Sequence, residues 1–193
     1  MVRWLLVALG LLMGALGSGC LRTSQRDGGA ERIALAPREV LALPLYQSRP
    51  YWLLRSQPGW IGGHEVELGG GTNDPASASI RAARFRDVAS ASRAYGRLTP
   101  DYIYLLLRKR MDSVLYPFVY PAPLPGDAVA VMGYDVRLPP EVGRDVTIIG
   151  QMTAIRAGTV VLLVESIGIP PDQLVPALTQ LTDAAYRLSG ITK

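Results

Sequence analysis

Residues 160–164 read Val-Val-Leu-Leu-Val, apolar at every position. A strand with no polar alternation needs cover on both faces, so this run predicts a central strand. Just before it, Ala157-Gly158 is short enough to join residues 145–156 and 159–168 as a hairpin, and residues 127–138 supply a third strand, the three together rich in Val, Ile and Leu. Pro170-Pro171-Asp172 stops the last strand and starts a helix in which Leu174, Leu178, Leu181, Ala185 and Leu188 recur at heptad-like spacing, with Gly190 ending it. On this reading Pro176 belongs in the first turn, where a missing N–H breaks no helical bond.

Upstream, residues 64–68 and 78–86 read as shorter strands, the second with Ile80 and Ala82 on one side and Arg81, Ala83 and Phe85 on the other. Asp87 caps a helix carrying Val88, Ala91, Tyr95 and Leu98 on its apolar stripe. Thr99, Pro100 and Asp101 open a second helix, with Ile103, Leu106, Leu107, Met111, Val114 and Leu115 as its buried face and Arg108, Lys109 and Arg110 in its later half. Residues 116–125, Tyr-Pro-Phe-Val-Tyr-Pro-Ala-Pro-Leu-Pro, can be neither a helix nor a central strand, because their prolines lack N–H donors. The fold class is α+β: a mostly antiparallel sheet with helices packed on it and a C-terminal hairpin followed by a helix. With 193 residues, 49% hydrophobic and 19% charged, the chain can bury one core, over residues 38–193, and is not disordered there.

The N-terminus has its own signature. Arg3 leads into 16 uncharged residues, 4–19, that end in small residues before Cys20, the pattern of an export signal. The stretch is short of the roughly 20 residues a permanent transmembrane helix needs. Leu16-Gly17-Ser18-Gly19-Cys20 resembles the lipobox of bacterial lipoproteins, with Gly17 where the pattern usually has Leu. That resemblance implies cleavage of residues 1–19, palmitate-type lipidation of Cys20 and a membrane as partner through the anchor. The alternative is a plain signal peptide with an incidental cysteine. Residues 20–37 then form the lipidated cysteine and a flexible polar tether. The mature charge, 19 basic against 16 acidic residues, is too small and scattered to indicate nucleic acid. Eighteen of the 20 basic residues are arginine and Asn73 is the sole asparagine, which fits a thermophile and equally a GC-rich genome. The element order over residues 78–190 resembles small extracytoplasmic domains related to the photosystem protein PsbP and the mycobacterial lipoprotein LpqN; it implies a fold and carries over no residues.

Most catalytic and metal-binding motifs are missing from the chain. His64-Glu65-Val66-Glu67-Leu68 begins like a zincin helix but has Leu68 where a second histidine must stand, so it reads as a strand edge with an exposed His64. One cysteine and one histidine cannot build a Cys/His zinc site. No Gly-x-Ser-x-Gly elbow occurs, and Gly69-Gly70-Gly71-Thr72-Asn73-Asp74 lacks the lysine of a phosphate loop. Carboxylate pairs could be drawn from Glu65, Glu67, Asp135, Glu141 and Glu165, whose convergence is not visible in the sequence. Tyr51, Trp52 and Trp60, and Tyr116, Phe118 and Tyr120, are aromatics outside the regular elements that could either close the core or serve recognition. The expectation is a lipid-anchored extracytoplasmic protein of the cell envelope with a non-enzymatic binding or accessory domain, without cofactor or metal, and with an envelope protein as a possible partner. A carrier of lipid or another small apolar ligand, and a carboxylate-based hydrolase, are the alternatives.

Overall fold

The computed structural model describes residues 28–52, 54–70, 76–98, 115–117, 123–137 and 147–191. Helix α1 (Gly28–Leu35) and the single turn α2 (Arg38–Leu41) precede strands β1 (Leu45–Pro50), β2 (Trp60–Gly69) and β3 (Ser77–Phe85). Helix α3 (Val88–Gly96), strands β4 (Leu115–Pro117), β5 (Ala128–Arg137), β6 (Thr147–Ala157) and β7 (Val160–Ile167), and helix α4 (Pro171–Ser189) follow. The strands form one seven-stranded sheet in the order β1-β2-β3-β7-β6-β5-β4, and every pairing is antiparallel.

The all-apolar strand β7 lies in the middle of the sheet. Its side chains divide between two cores, because successive residues of a strand point to opposite faces. Leu162 and Val164 pack with Val66, Ile80 and Ile155 beneath Ile33 of α1 and Leu174, Leu178 and Leu181 of α4. Val161 and Leu163 pack with Phe85, Met152 and Tyr134 beneath Ala91 and Ala94 of α3. Both faces are thus covered, one by α1, α2 and α4 and the other, in part, by α3. The edges carry prolines where a ladder bond is not required: Pro50 ends β1 and Pro117 ends β4.

Local signals account for the helix ends. Asp87 accepts a hydrogen bond from Ser90 N at 2.7 Å and so caps α3, holding its own carboxyl below the usual range through that backbone bond. Gly190, with φ +68°, turns the chain out of α4, and Ile191 N donates to Tyr186 O at 3.2 Å.

Three expectations are corrected by the fold, and one strand is added. The tether does not extend to residue 37: α1 occupies residues 28–35, and Ala30, Ile33 and Ala34 are buried in the core. A helix of small residues leaves little apolar contrast in the sequence, yet lets the backbone come close to the sheet. Pro176 stands in the second turn of α4, not the first, since the helix begins at Pro171. Asp172, whose carbonyl loses its partner to the proline, is exposed, so water can satisfy it. Leu115 starts β4 instead of closing a helix, and β1, unforeseen, pairs with β2. The export signal, Cys20, Phe118, Tyr120, Glu141 and most of the helix expected after Thr99 lie outside the described residues.

Candidate functional site

Strand register assembles two polar rows on the face that α3 only partly covers. In the first, Arg49 of β1 stands opposite Glu65 of β2, and Glu65 opposite Arg81 of β3. In the second, Gln47, Glu67, Ser79 and Glu165 follow one another across β1, β2, β3 and β7. Arg81 Nε donates to Glu65 Oε1 at 2.6 Å, and Arg49 Nε donates to Glu65 Oε2 at 2.7 Å. Arg49 Nη2 reaches Glu67 Oε1 at 2.9 Å, and Ser79 Oγ donates to Glu65 Oε1 at 3.3 Å. Glu165 lies 3.6 Å from Arg81 Nη2 and accepts the Tyr134 hydroxyl at 3.0 Å.

Glu65, Arg81 and Glu165 are all buried, with 6%, 9% and 5% of their surface exposed. Burying a charge is unfavourable unless it is paired and hydrogen-bonded, and here the pairing prevails. Burial acts to raise the Glu65 carboxyl, but the Arg81 charge and the bonds from Arg49 and Arg81 together hold it below the usual carboxylate range. Burial acts to lower the Arg81 guanidinium, and Glu65 and Glu165 more than restore it. Glu65 and Arg81 therefore stay charged around neutrality as a fixed pair.

Beside the network, at the end of β2 and the start of β3, opens a cleft of about 390 Å³. Glu67, Ser77, Ser79 and Glu165 give it a polar side, Leu68 and Ile167 an apolar one, and the exposed Tyr46 stands among its lining residues. That volume lies within the range of small-molecule sites, and the mixed lining suits a ligand with an apolar body and a few polar groups.

The sequence-derived aromatics separate. Trp52 and Trp60 come together with ring centroids 6.0 Å apart at 40°, and the Arg55 guanidinium carbon lies 5.3 Å from the Trp52 ring centre. Tyr51 is buried, its N–H donating to Gly63 O at 3.0 Å. Tyr116 belongs to β4, at the opposite edge of the sheet.

His64 is buried, not exposed: its Nε2 lies 2.7 Å from Ser48 Oγ and 4.0 Å from Glu31 Oε1. Helix α1 supplies Glu31 and packs on that face of β2. Among the described residues no cluster of three or more His, Cys, Asp or Glu side chains could hold a metal. Of the candidate carboxylates, Glu65, Glu67 and Glu165 converge and Asp135 points to the other face of β5 from Tyr134. Arg49, Arg81, Tyr134 and Tyr46 were not anticipated. The one available signal was polar residues at inward positions of otherwise apolar strands, Arg81 between Ile80 and Ala82 and Glu165 after Val164.

No family model matches the chain, and no curated protein matches it. Among solved structures, it is similar to the extracellular domain of PknH from Mycobacterium tuberculosis, with a TM-score of 0.50 and 9% sequence identity over 78% of this chain and 90% of that one. At that identity the likeness is one of fold, and it agrees with an α+β domain.

Proposed function

We propose that this protein is a membrane-anchored extracytoplasmic lipoprotein whose folded domain binds a small ligand or envelope partner at the cleft between β1 and β7 and does not catalyse a reaction. The observation that carries the binding reading is the engagement of the buried carboxylates. Each oxygen of Glu65 takes an arginine donor, Glu67 takes Arg49, and Glu165 takes the Tyr134 hydroxyl. A general acid needs a carboxyl that titrates near the working pH, whereas Glu65 is pushed the other way. The network thus builds a rigid wall for the cleft.

Location rests on the lipobox-like residues ending at Cys20 and on the fold it shares with an extracellular domain. Among the described residues no helix is long and apolar enough to cross a membrane. In this reading the acyl chains of Cys20 supply the attachment. A carrier's ligand has no room under α1 and α4, where Ile33, Ile155, Leu162 and Leu178 are at 2% exposure or less; the stripe from Ile103 to Leu115, the wall such a site could use, falls almost wholly outside the described residues.

Fractionation of a lipoprotein-competent bacterium tests the proposal. Wild type is expected in the membrane fraction and open to protease added to wall-stripped cells, and Cys20→Ala in the soluble or signal-bearing pool. Wild type resistant to that protease while the membrane stays sealed would refute the extracytoplasmic reading.

A further inference from the structure

Several exposed apolar side chains gather at one rim of the sheet. Trp60 pairs with Phe85, Phe85 N donates to Thr159 O, and Thr159 N donates to Ser189 Oγ. The start of β2, the end of β3, the β6–β7 turn and the end of α4 therefore share that rim. Trp52 (43% exposed), Ile61 (50%) and Val88 (41%) stand out from it. Arg55 and Arg86 are exposed beside them, and Arg187 is exposed at the end of α4, next to α1. Of the acids there, Asp87 caps α3, Glu31 stands 4.0 Å from His64, and Asp127 is taken up by Arg156 at 3.1 Å and the Tyr186 hydroxyl at 2.7 Å. The rim is basic and aromatic.

The chain enters the fold at the same rim. Gly29 and Arg32 of α1 lie beside Arg187 and Leu188 of α4, and Glu31 lies beside His64. The chain reaches the opposite rim only at Pro44, whose carbonyl accepts from Gly69 N at 2.8 Å. Seven residues, 21–27, separate Cys20 from Gly28, so the eight steps between them reach at most roughly 29 Å even when fully extended. A lipid on Cys20 would hold this rim nearest the bilayer.

We infer that the rim is a docking surface for an anionic bilayer. Trp52 and Ile61 enter the headgroup interface, where an amphipathic indole is most stable, and Arg55, Arg86 and Arg187 meet lipid phosphates. The orientation rests on the anchor proposed at Cys20, and the cleft, at the far rim, is left facing away from the membrane.

The mature chain provides its own reporter, since Trp52 and Trp60 are the only tryptophans after residue 19 and Cys20 is the only cysteine. Mature protein is anchored on vesicles of phosphatidylcholine with about 30% phosphatidylglycerol whose acyl chains are brominated near the headgroup. Anchoring uses its own acyl chains or, where intact mass shows none, a maleimide lipid coupled to the Cys20 thiol. An unacylated Cys20 thus counts against the anchor in cells, while the coupled chain still decides docking. Loss of about half the tryptophan emission is expected on anionic vesicles, with most of it recovered in Arg55→Glu/Arg86→Glu, which keeps both tryptophans. Emission unchanged by the brominated lipid on firmly anchored protein would overturn the inference and leave the rim to a protein partner.

Discussion

Arg81 and Glu65 stand directly opposite each other on β3 and β2, Nε to Oε1 at 2.6 Å, each with less than a tenth of its surface exposed. A charge pair this deep is held by mutual neutralisation. Removing one member leaves the other buried with less compensation, so Arg81→Met, which leaves Glu65 to Arg49 and Ser79 and Glu165 to the Tyr134 hydroxyl, is expected to destabilise the fold by about 3 kcal/mol. Adding Glu65→Gln to that variant should recover part of the loss, because the two sites share one interaction. Urea unfolding of the four forms measures both effects.

Acid should weaken the protein through the same pair. Glu65 has a folded-state carboxyl held below its unfolded value, so the unfolded chain binds the proton first as pH falls. The stabilisation is complete above about pH 4.3, the ordinary glutamate value, and is lost progressively below it as the folded carboxyl also protonates. Unfolding midpoints across that range should fall more steeply for wild type than for Glu65→Gln.

Tyr134 reaches Glu165 only because its ring lies over Gly150, its cross-strand partner on β6. A Cβ at position 150 would overlap the ring carbons. Gly150→Ala is therefore expected to cost about 1–3 kcal/mol by overpacking and to displace the hydroxyl from Glu165. Thermal unfolding gives the first quantity; the pH dependence of the tyrosine absorbance reports the second.

The place of α1 in the fold gives a sharp contrast between a tether and a core element. Ile33 is 2% exposed against the sheet and α4. Ile33→Ala should cost about 2–5 kcal/mol in urea unfolding, whereas a side chain in a free tether would cost nothing.

The fold was legible where a pattern had a single physical solution. Five apolar residues from Val160 admitted only a doubly covered strand, and Ala157-Gly158, Asp87 and Gly190 marked turn and caps by their backbone chemistry. Helix α1 was not legible, because Gly29, Ala30 and Ala34 carry too little apolar surface to stand out beside Arg32 and Glu31. Strand β1 hid for the opposite reason: at an edge, with an exposed Leu45 and Tyr46, it has almost no buried face to pattern. The carboxylates Glu65, Glu67 and Glu165 were visible as candidates, but what joins them is the register of β2, β3 and β7, and no local spacing records a register. Trp52 and Trp60 meet for the same kind of reason, through a loop that returns beside β2.

The most direct measurement is the intact mass of the protein isolated from a lipoprotein-competent bacterium, wild type beside Cys20→Ala. A lipid-anchored domain should give a wild-type chain beginning at Cys20 and heavier than its residues by the mass of its acyl chains, with no such gain in the variant. A wild-type chain cleaved at another residue, or beginning at Cys20 with no added mass, would contradict the anchor.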